Sequence, residues 1–330
     1  MNTLVLVANA GDGTISTLRQ ADASLEEVTI SQVGDGCNAF VVDHARDLVY
    51  AAVGDGVVTL RLDRNSGALT EVSRRGDTGP LVSLDLAHDG MVLAGASYHD
   101  GHATAWPVAD GALADPVGRA EHANAHCVVV VGRFAYVASL GEDLVAQFVI
   151  GTDAALTPLE PATTAVPEGS GPRHIAVTSP NAYLVTEFSA EAIRLDVAGD
   201  GTLTPAESVR FDDPAAGLAH SRFGADPRAE HLRWGADVHV AGDFLLCSER
   251  TGSTITSISL DQQGRLGEVA AVTAVPTQPR GFGVSHDGSL VVAVGERSSD
   301  AVLFRVETDG KLTELDRAQV GAKARWVRFV

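Results

Sequence analysis

Cysteine is nearly absent: Cys37, Cys127 and Cys247 are the only three in 330 residues. None forms a C-x-x-C pair, and an odd count makes no disulfide framework. Each lies in an apolar stretch, which reads as a buried, reduced thiol. Long apolar runs are missing too. No window approaches 18 uncharged apolar residues, so no membrane span is expected. Met1 to Ala10 has no positive n-region and its apolar run stops at Asn9, so a signal peptide is not expected and a cytoplasmic location is. Basic charge is scarce, with 24 Lys and Arg against 43 Asp and Glu and a formal net charge of −19. That sign disfavours nucleic acid as a partner and disfavours an anionic membrane surface. H-E-x-x-H, zinc-type Cys/His spacing, a D-x-D-x-D-G loop, a G-x-S-x-G elbow, a P-loop and a dinucleotide fingerprint are all missing. So are the Trp-Asp and Gly-Gly signatures of WD40 and kelch repeats.

A turn followed by leucine is present, and it recurs. The instances are Asp22-Ala23-Ser24-Leu25, Ser66-Gly67-Ala68-Leu69, Asp110-Gly111-Ala112-Leu113, Asp153-Ala154-Ala155-Leu156, Asp200-Gly201-Thr202-Leu203, Gln263-Gly264-Arg265-Leu266 and Asp309-Gly310-Lys311-Leu312. The period of roughly 44 residues is that of a four-stranded propeller blade. One interval is longer by about 17 residues, against a blade period of ~40–50. The second unit shows the expected strands: Ala39 to Asp43, Leu48 to Val53, Val57 to Leu62 as a half-buried alternating strand, and Leu69 to Arg74. The Asp55-Gly56 turn closes a hairpin. These units predict an all-β, seven-bladed propeller with four antiparallel strands per blade, spanning 1–330 as one domain. Thr3 to Ala8 matches a second strand and Arg325 to Phe329 a first strand. The C-terminal strand is therefore expected to close the ring and remove an exposed edge.

In such a blade the start of the inner strand and the end of the second strand lie on one face, around the channel mouth. Inner-strand starts carry Asn124 and His126, Arg173 and His174, Asp237 with nearby His239, and Arg280. Second-strand ends carry Glu187, Glu249 with Arg250, and Glu296 with Arg297. Ionisable groups thus gather where burial is costly unless they are paired. The competing reading is structural. Arg173–Glu187 and Arg280–Glu296 would tie blades together, His126 and His174 would cap turns, and His239 would be a satisfied core histidine. The extra residues, roughly Asp212 to Gly235, enter on the same face and are a candidate lid.

These residues carry a resemblance. Ala123-Asn124-Ala125-His126-Cys127 with Gly141-Glu142-Asp143, Gly171-Pro172-Arg173-His174 with Tyr183 and Glu187, Ala236-Asp237-Val238-His239-Val240 with Ser248-Glu249-Arg250, Pro279-Arg280-Gly281-Phe282 with Asp287-Gly288 and Phe304, and Val327-Arg328-Phe329 are similar to the lactonase family of seven-bladed propellers. That family includes the bacterial propeller-type 6-phosphogluconolactonases. The chain departs from the family pattern at several positions. Asn124 stands where the family has His, Thr186 and Glu249 replace Asn, Asp237 replaces Glu, and Glu296 replaces Gln.

The resemblance implies hydrolysis of a sugar-acid lactone, with a small anionic sugar lactone as partner, no metal, no organic cofactor and a monomer. Glu187 or His174 would activate water. Arg173 and Arg280 would hold the carbonyl oxygen or a phosphate, with Arg250 as the next anion binder. His126, Asn124, Asp237 and Glu296 would contact substrate. Two alternatives stay open: a carboxymuconate cyclase-type lactonising enzyme, and a non-catalytic propeller that binds a ligand or a protein.

Overall fold

A computed structural model describes residues 3 to 330. Met1 and Asn2, where the stretch read for a leader begins, lie outside them. From Thr3 onward the chain forms seven antiparallel sheets in succession, each ordered inner to outer. The inner strands are Ala324–Phe329, Ala39–Asp43, Leu81–Ala87, Ala125–Val131, Pro172–Thr178, Gly235–Ala241 and Phe282–Val284, numbered here as blades 1 to 7. Blade 3 has its outer strand in two pieces, Ala112–Leu113 and Gly118–Glu121. The seven-bladed propeller expected from the repeat is the fold. The extra residues lie between blades 5 and 6 and hold one short 3-10 turn, Pro214–Ala216.

Blade faces pack on neighbouring blades, so period-2 alternation here does not separate core from solvent. In the strand Gly56–Leu62, expected to be half-buried, only Arg61 is exposed. Val58, Leu60 and Leu62 point into a core shared with Leu4, Leu6 and Trp326 of blade 1. Val57 points into the next core, with Leu81, Leu84 and Trp106 of blade 3. A strand between two blades alternates between two apolar cores, which is why Leu48–Val53 is buried throughout. The outer strand Leu69–Arg75 has no blade beyond it along the sheet and is mostly exposed or part-exposed after its first residue.

The turn-plus-leucine repeat is the clasp between blades. Its glycine carbonyl accepts a hydroxyl from the preceding blade. Thr17 donates to Gly67 (2.7 Å), Tyr136 to Gly201 (2.8 Å), Tyr183 to Gly264 (2.7 Å) and Ser257 to Gly310 (2.7 Å). The leucine N–H donates back to a neighbouring side chain, as Leu266 does to Glu207 at 2.7 Å. Leu25 and Asp316 repeat this contact across the ring seam at 2.8 Å. The glycines of these turns have φ near +70 to +90°, a region that costs an L residue strain. In the fourth unit Ala154 takes the same position with φ +69°.

Ring closure follows the expected register, with Val5 opposite Phe329, Val7 opposite Val327 and Ala8 opposite Trp326. The Trp326 indole N–H then donates to the Phe40 carbonyl of blade 2 at 2.8 Å.

Where the inner strands start, the pairing slips. Register shifts pass over His126 in blade 4, Arg173 in blade 5, Ala236 and Asp237 in blade 6, and Arg325 in blade 1. A β-bulge re-aims its side chain out of the pleat. With Val82 of blade 3 passed over in the same way, five of the seven blades carry a bulged residue where the inner strand starts, and three of these bear a cationic or imidazole side chain.

Candidate active site

Glu187 is the hub of the mouth. Its Oε2 accepts Arg173 Nε at 2.9 Å and Arg250 Nη2 at 2.7 Å, and its Oε1 accepts the Trp234 indole N–H at 3.3 Å. The Arg250 guanidinium lies over the Trp234 ring, 3.8 Å from its centroid. Burial would push the Glu187 carboxyl up, but Arg250, Arg173 and Arg280 more than reverse this and hold it below its usual value. The expected Arg173–Glu187 tie exists. The expected Arg280–Glu296 tie does not: Glu296 pairs with Arg325 at 2.8 Å and accepts Gln278 Nε2 at 2.7 Å. The reason is the closing strand, which brings Arg325 to the mouth beside Glu296.

That leaves Arg280 with no hydrogen-bond or ion-pair partner among the described residues, although Arg173, Arg250 and Arg325 all feel its charge. Burial, together with these neighbouring cations, pulls Arg173 down to about 9 and Arg325 to about 10. Four guanidiniums thus face two carboxylates, Glu187 and Glu296. This local excess of positive charge opposes the net charge of −19 of the whole chain.

The three histidines of the channel differ sharply. His174 is used at both nitrogens. Nδ1 donates to Asp237 Oδ1 at 2.7 Å, and Nε2 accepts Arg173 Nη1 at 3.2 Å. Burial and the Arg173 charge pull it down to about 4 despite Asp237. His239 binds Asp237 Oδ2 at 3.1 Å and packs edge-on against Phe282, as a satisfied core histidine does. His126 is buried yet bonds to nothing among the described residues. Its ring stands between Tyr98 (5.6 Å) and His174 (5.2 Å). Burial first, then Arg173, His174 and Arg280, keep His126 well below its usual value, so it is neutral. Neither His126 nor His174 caps a turn.

Asp237, expected at the substrate, is committed within the channel wall. Oδ1 accepts His174 and the Val238 N–H, and Oδ2 accepts His239 and the Phe282 N–H. Its partners hold it well below the usual carboxylate range although burial alone would raise it. Glu249 accepts three backbone N–H groups, from Trp234, Thr251 and Gly252, and shapes the turn that presents Arg250. Asn124 sits at φ +53°, where asparagine is tolerated, and its amide donates to the Tyr98 carbonyl at 3.3 Å.

The insertion is tied to loops around the rim. His220 Nε2 donates to the Gly169 carbonyl at 2.9 Å, the Ser221 N–H to the Phe188 carbonyl at 3.0 Å, and Arg228 reaches Gln278 of blade 7 at 3.3 Å. Tyr98, Trp234 and Arg325 were not singled out from the sequence as site residues. Arg325 was legible in principle, because it begins an inner strand like Arg173 and His126. Tyr98 and Trp234 sit in loops whose course no pattern announces. The three cysteines are buried free thiols. Among the described residues no helix is long and apolar enough to cross a membrane.

The description "Lactonase, 7-bladed beta-propeller" matches residues 6–329. The chain is 27% identical over 321 residues to the 6-phosphogluconolactonase of Klebsiella pneumoniae subsp. pneumoniae, covering 93% of this chain and 92% of that one. It is 28% identical over 300 residues to the 6-phosphogluconolactonase of Sodalis glossinidius, covering 87% and 86%. The periplasmic gluconolactonase PpgL of Pseudomonas aeruginosa superposes with a TM-score of 0.87 at 22% identity, covering 100% of this chain and 99% of that one.

Proposed function

This chain belongs to the family of seven-bladed β-propeller lactonases, and we propose that it is a lactone hydrolase that opens 6-phosphogluconolactone to 6-phosphogluconate. The observation that carries the reading is Arg280. It is a guanidinium without a partner among the described residues, at a channel mouth where the other arginines are paired, and so it is free to receive an anion. A lactone carbonyl directed at Arg280 and at Arg173 Nη2, which also lacks a partner, would meet preorganised donors as its oxygen becomes anionic.

In this reading the base is His126 in place of Glu187 or His174. Glu187 is saturated by two arginines and an indole, and both nitrogens of His174 are engaged. His126 is neutral and unbonded, so it is the imidazole that takes the proton of the attacking water. It returns that proton to the ring oxygen as the ester C–O bond breaks. The oxyanion that develops on the arginines offsets the Arg173 and Arg280 charges that, after burial, depress His126, and so raises its basicity at the moment of use. Asp237 fixes the His174 tautomer, and His174 in turn holds Arg173.

The test is lactone hydrolysis by pH-stat, with spontaneous opening subtracted, on 6-phosphogluconolactone and on gluconolactone. We expect enzyme-dependent hydrolysis that prefers the phosphorylated lactone. Arg280→Ala should lower kcat/KM about 100-fold or more, as loss of one oxyanion donor does, with Tm unchanged. No rate above the spontaneous one on either lactone would overturn the reading.

A further inference from the structure

Beside the arginine mouth lies a cavity of about 290 Å³ between blades 4 and 5 and the insertion. Its lining includes Asn124, Phe188, Ser221, Arg222 and Phe223, and also the Asp143 carboxylate, which accepts the Gly169 and Gly171 N–H groups at 2.8 and 2.9 Å. Two of its residues lead to the mouth. Phe188 follows Glu187 in the chain, and Asn124 holds the backbone of Tyr98, whose ring abuts His126.

The cavity is built rather than left over. The Ser221 side chain is buried, at 3% exposure, and its hydroxyl has no partner among the described residues. With Nδ2 on Tyr98, Asn124 keeps Oδ1 over Gly141, where a Cβ would come within 2.5 Å of it. Gly141 therefore leaves room for the carboxamide. Phe223 is 63% exposed, a large ring that the fold does not bury. Arg222 pairs only with Glu230, at 2.6 Å and well exposed, and such a pair exchanges for a better anion at little cost.

An amide oxygen, a free hydroxyl, aromatic surface and a guanidinium together suit the hydroxylated edge of a sugar ring that carries a phosphoester arm. The hydroxyls bond Asn124 and Ser221, the C–H face rests on the rings, and Arg222 takes the terminal charge. We infer that this cavity is the subsite for the phosphorylated tail of the substrate, and that Arg222 on the insertion, not the buried arginines, reads the phosphoryl group. The inference rests on the lactonase reading and assigns the buried arginines to the lactone carbonyl alone.

The experiment compares kcat/KM for 6-phosphogluconolactone and gluconolactone in the full-length protein and in Arg222→Gln and Ser221→Ala. Arg222→Gln should lower kcat/KM on the phosphorylated lactone about 10- to 100-fold, the worth of a charge-assisted bond. It should leave gluconolactone within about twofold, because a tail contact is uniform binding that only the tail-bearing substrate feels. Ser221→Ala should lower both, less steeply. A loss shared equally by the two lactones in Arg222→Gln, or no loss, overturns the subsite. Calorimetry with the stable products, 6-phosphogluconate and gluconate, separates the two claims. If the parent hydrolyses neither lactone but binds 6-phosphogluconate over gluconate, and Arg222→Gln erases that preference, the subsite stands and the lactonase reading falls. If the parent neither hydrolyses nor binds, both fall.

Discussion

The mouth and the interior of the same central channel handle charge in opposite ways. At the mouth, four arginines meet two carboxylates, and one arginine is left without a partner. Below it, the Asp237 carboxylate is fully shared between two histidines and two backbone N–H groups. There Arg328 lies on Trp326 with its centre 4.5 Å from the ring, and Asp85 accepts two backbone N–H groups and is pushed by burial up to about 6. The interior carboxylates are satisfied by the channel wall itself, so they serve architecture. The mouth is left with surplus donors, so it suits a ligand. The contrast teaches that burial of a charged residue does not by itself mark a site. A charged residue with an unused bond does.

The closing strand serves both regions, supplying Arg325 to the mouth and Trp326 and Arg328 to the interior. Deleting residues 324–330 should therefore have the largest effect, exposing the Thr3–Asn9 edge and giving an aggregating or unfolded protein. A truncated chain that melts like the parent would show that closure is dispensable.

Replacing one arginine from each class sharpens the contrast. Arg173→Ala takes one of two arginines from Glu187 and leaves His174 Nε2 and the Ala236 carbonyl without a donor, at a cost of about 1–3 kcal/mol for each unsatisfied group. Arg280→Ala should cost almost none while abolishing more activity per degree of Tm. Equal Tm losses in denaturation scans would remove the distinction.

The smallest effect is a pH slope. His174 sits at about 4 when folded and near 6.5 when unfolded, and His126 is displaced in the same direction. Between those values the unfolded chain binds protons that the folded chain refuses, so stability falls as pH drops from about 6.5 toward 4. Asp85, raised to about 6, and Glu249, raised by burial, oppose this, but the lowered histidines His44, His102, His126 and His174 outnumber them. Tm measured at pH 7.5, 6 and 4.5 should fall in that order. His174→Gln should flatten the slope, and an unchanged slope in that variant would exclude His174 as its source.

Much of the site was legible because propeller geometry fixes where strand ends go. Arg173, His174, Glu187, Arg250, Arg280 and Glu296 could be assigned to one face from strand order alone. Their pairings could not. Arg280 and Glu296 lie on the same blade, yet Arg325, nearest in space and 29 residues further along, takes Glu296. Asp237 and Asn124 were both expected at the substrate. Asp237 turned into a buried clamp for His174, while Asn124 opens on the cavity beside the mouth.

The sequence by itself determined the seven blades, their strand order and the closing strand, because turn chemistry and apolar alternation repeat locally and need no distant partner to be recognised. It also determined many of the residues that crowd the mouth, though not Tyr98, Trp234 or Arg325. Only the tertiary structure decided which of them are spent on one another. That depends on bulges that re-aim side chains and on contacts between blades far apart in the chain, such as Arg250 with Glu187 and Arg325 with Glu296. A charge becomes functional by what remains unpaired after those contacts form, and local sequence does not encode that remainder.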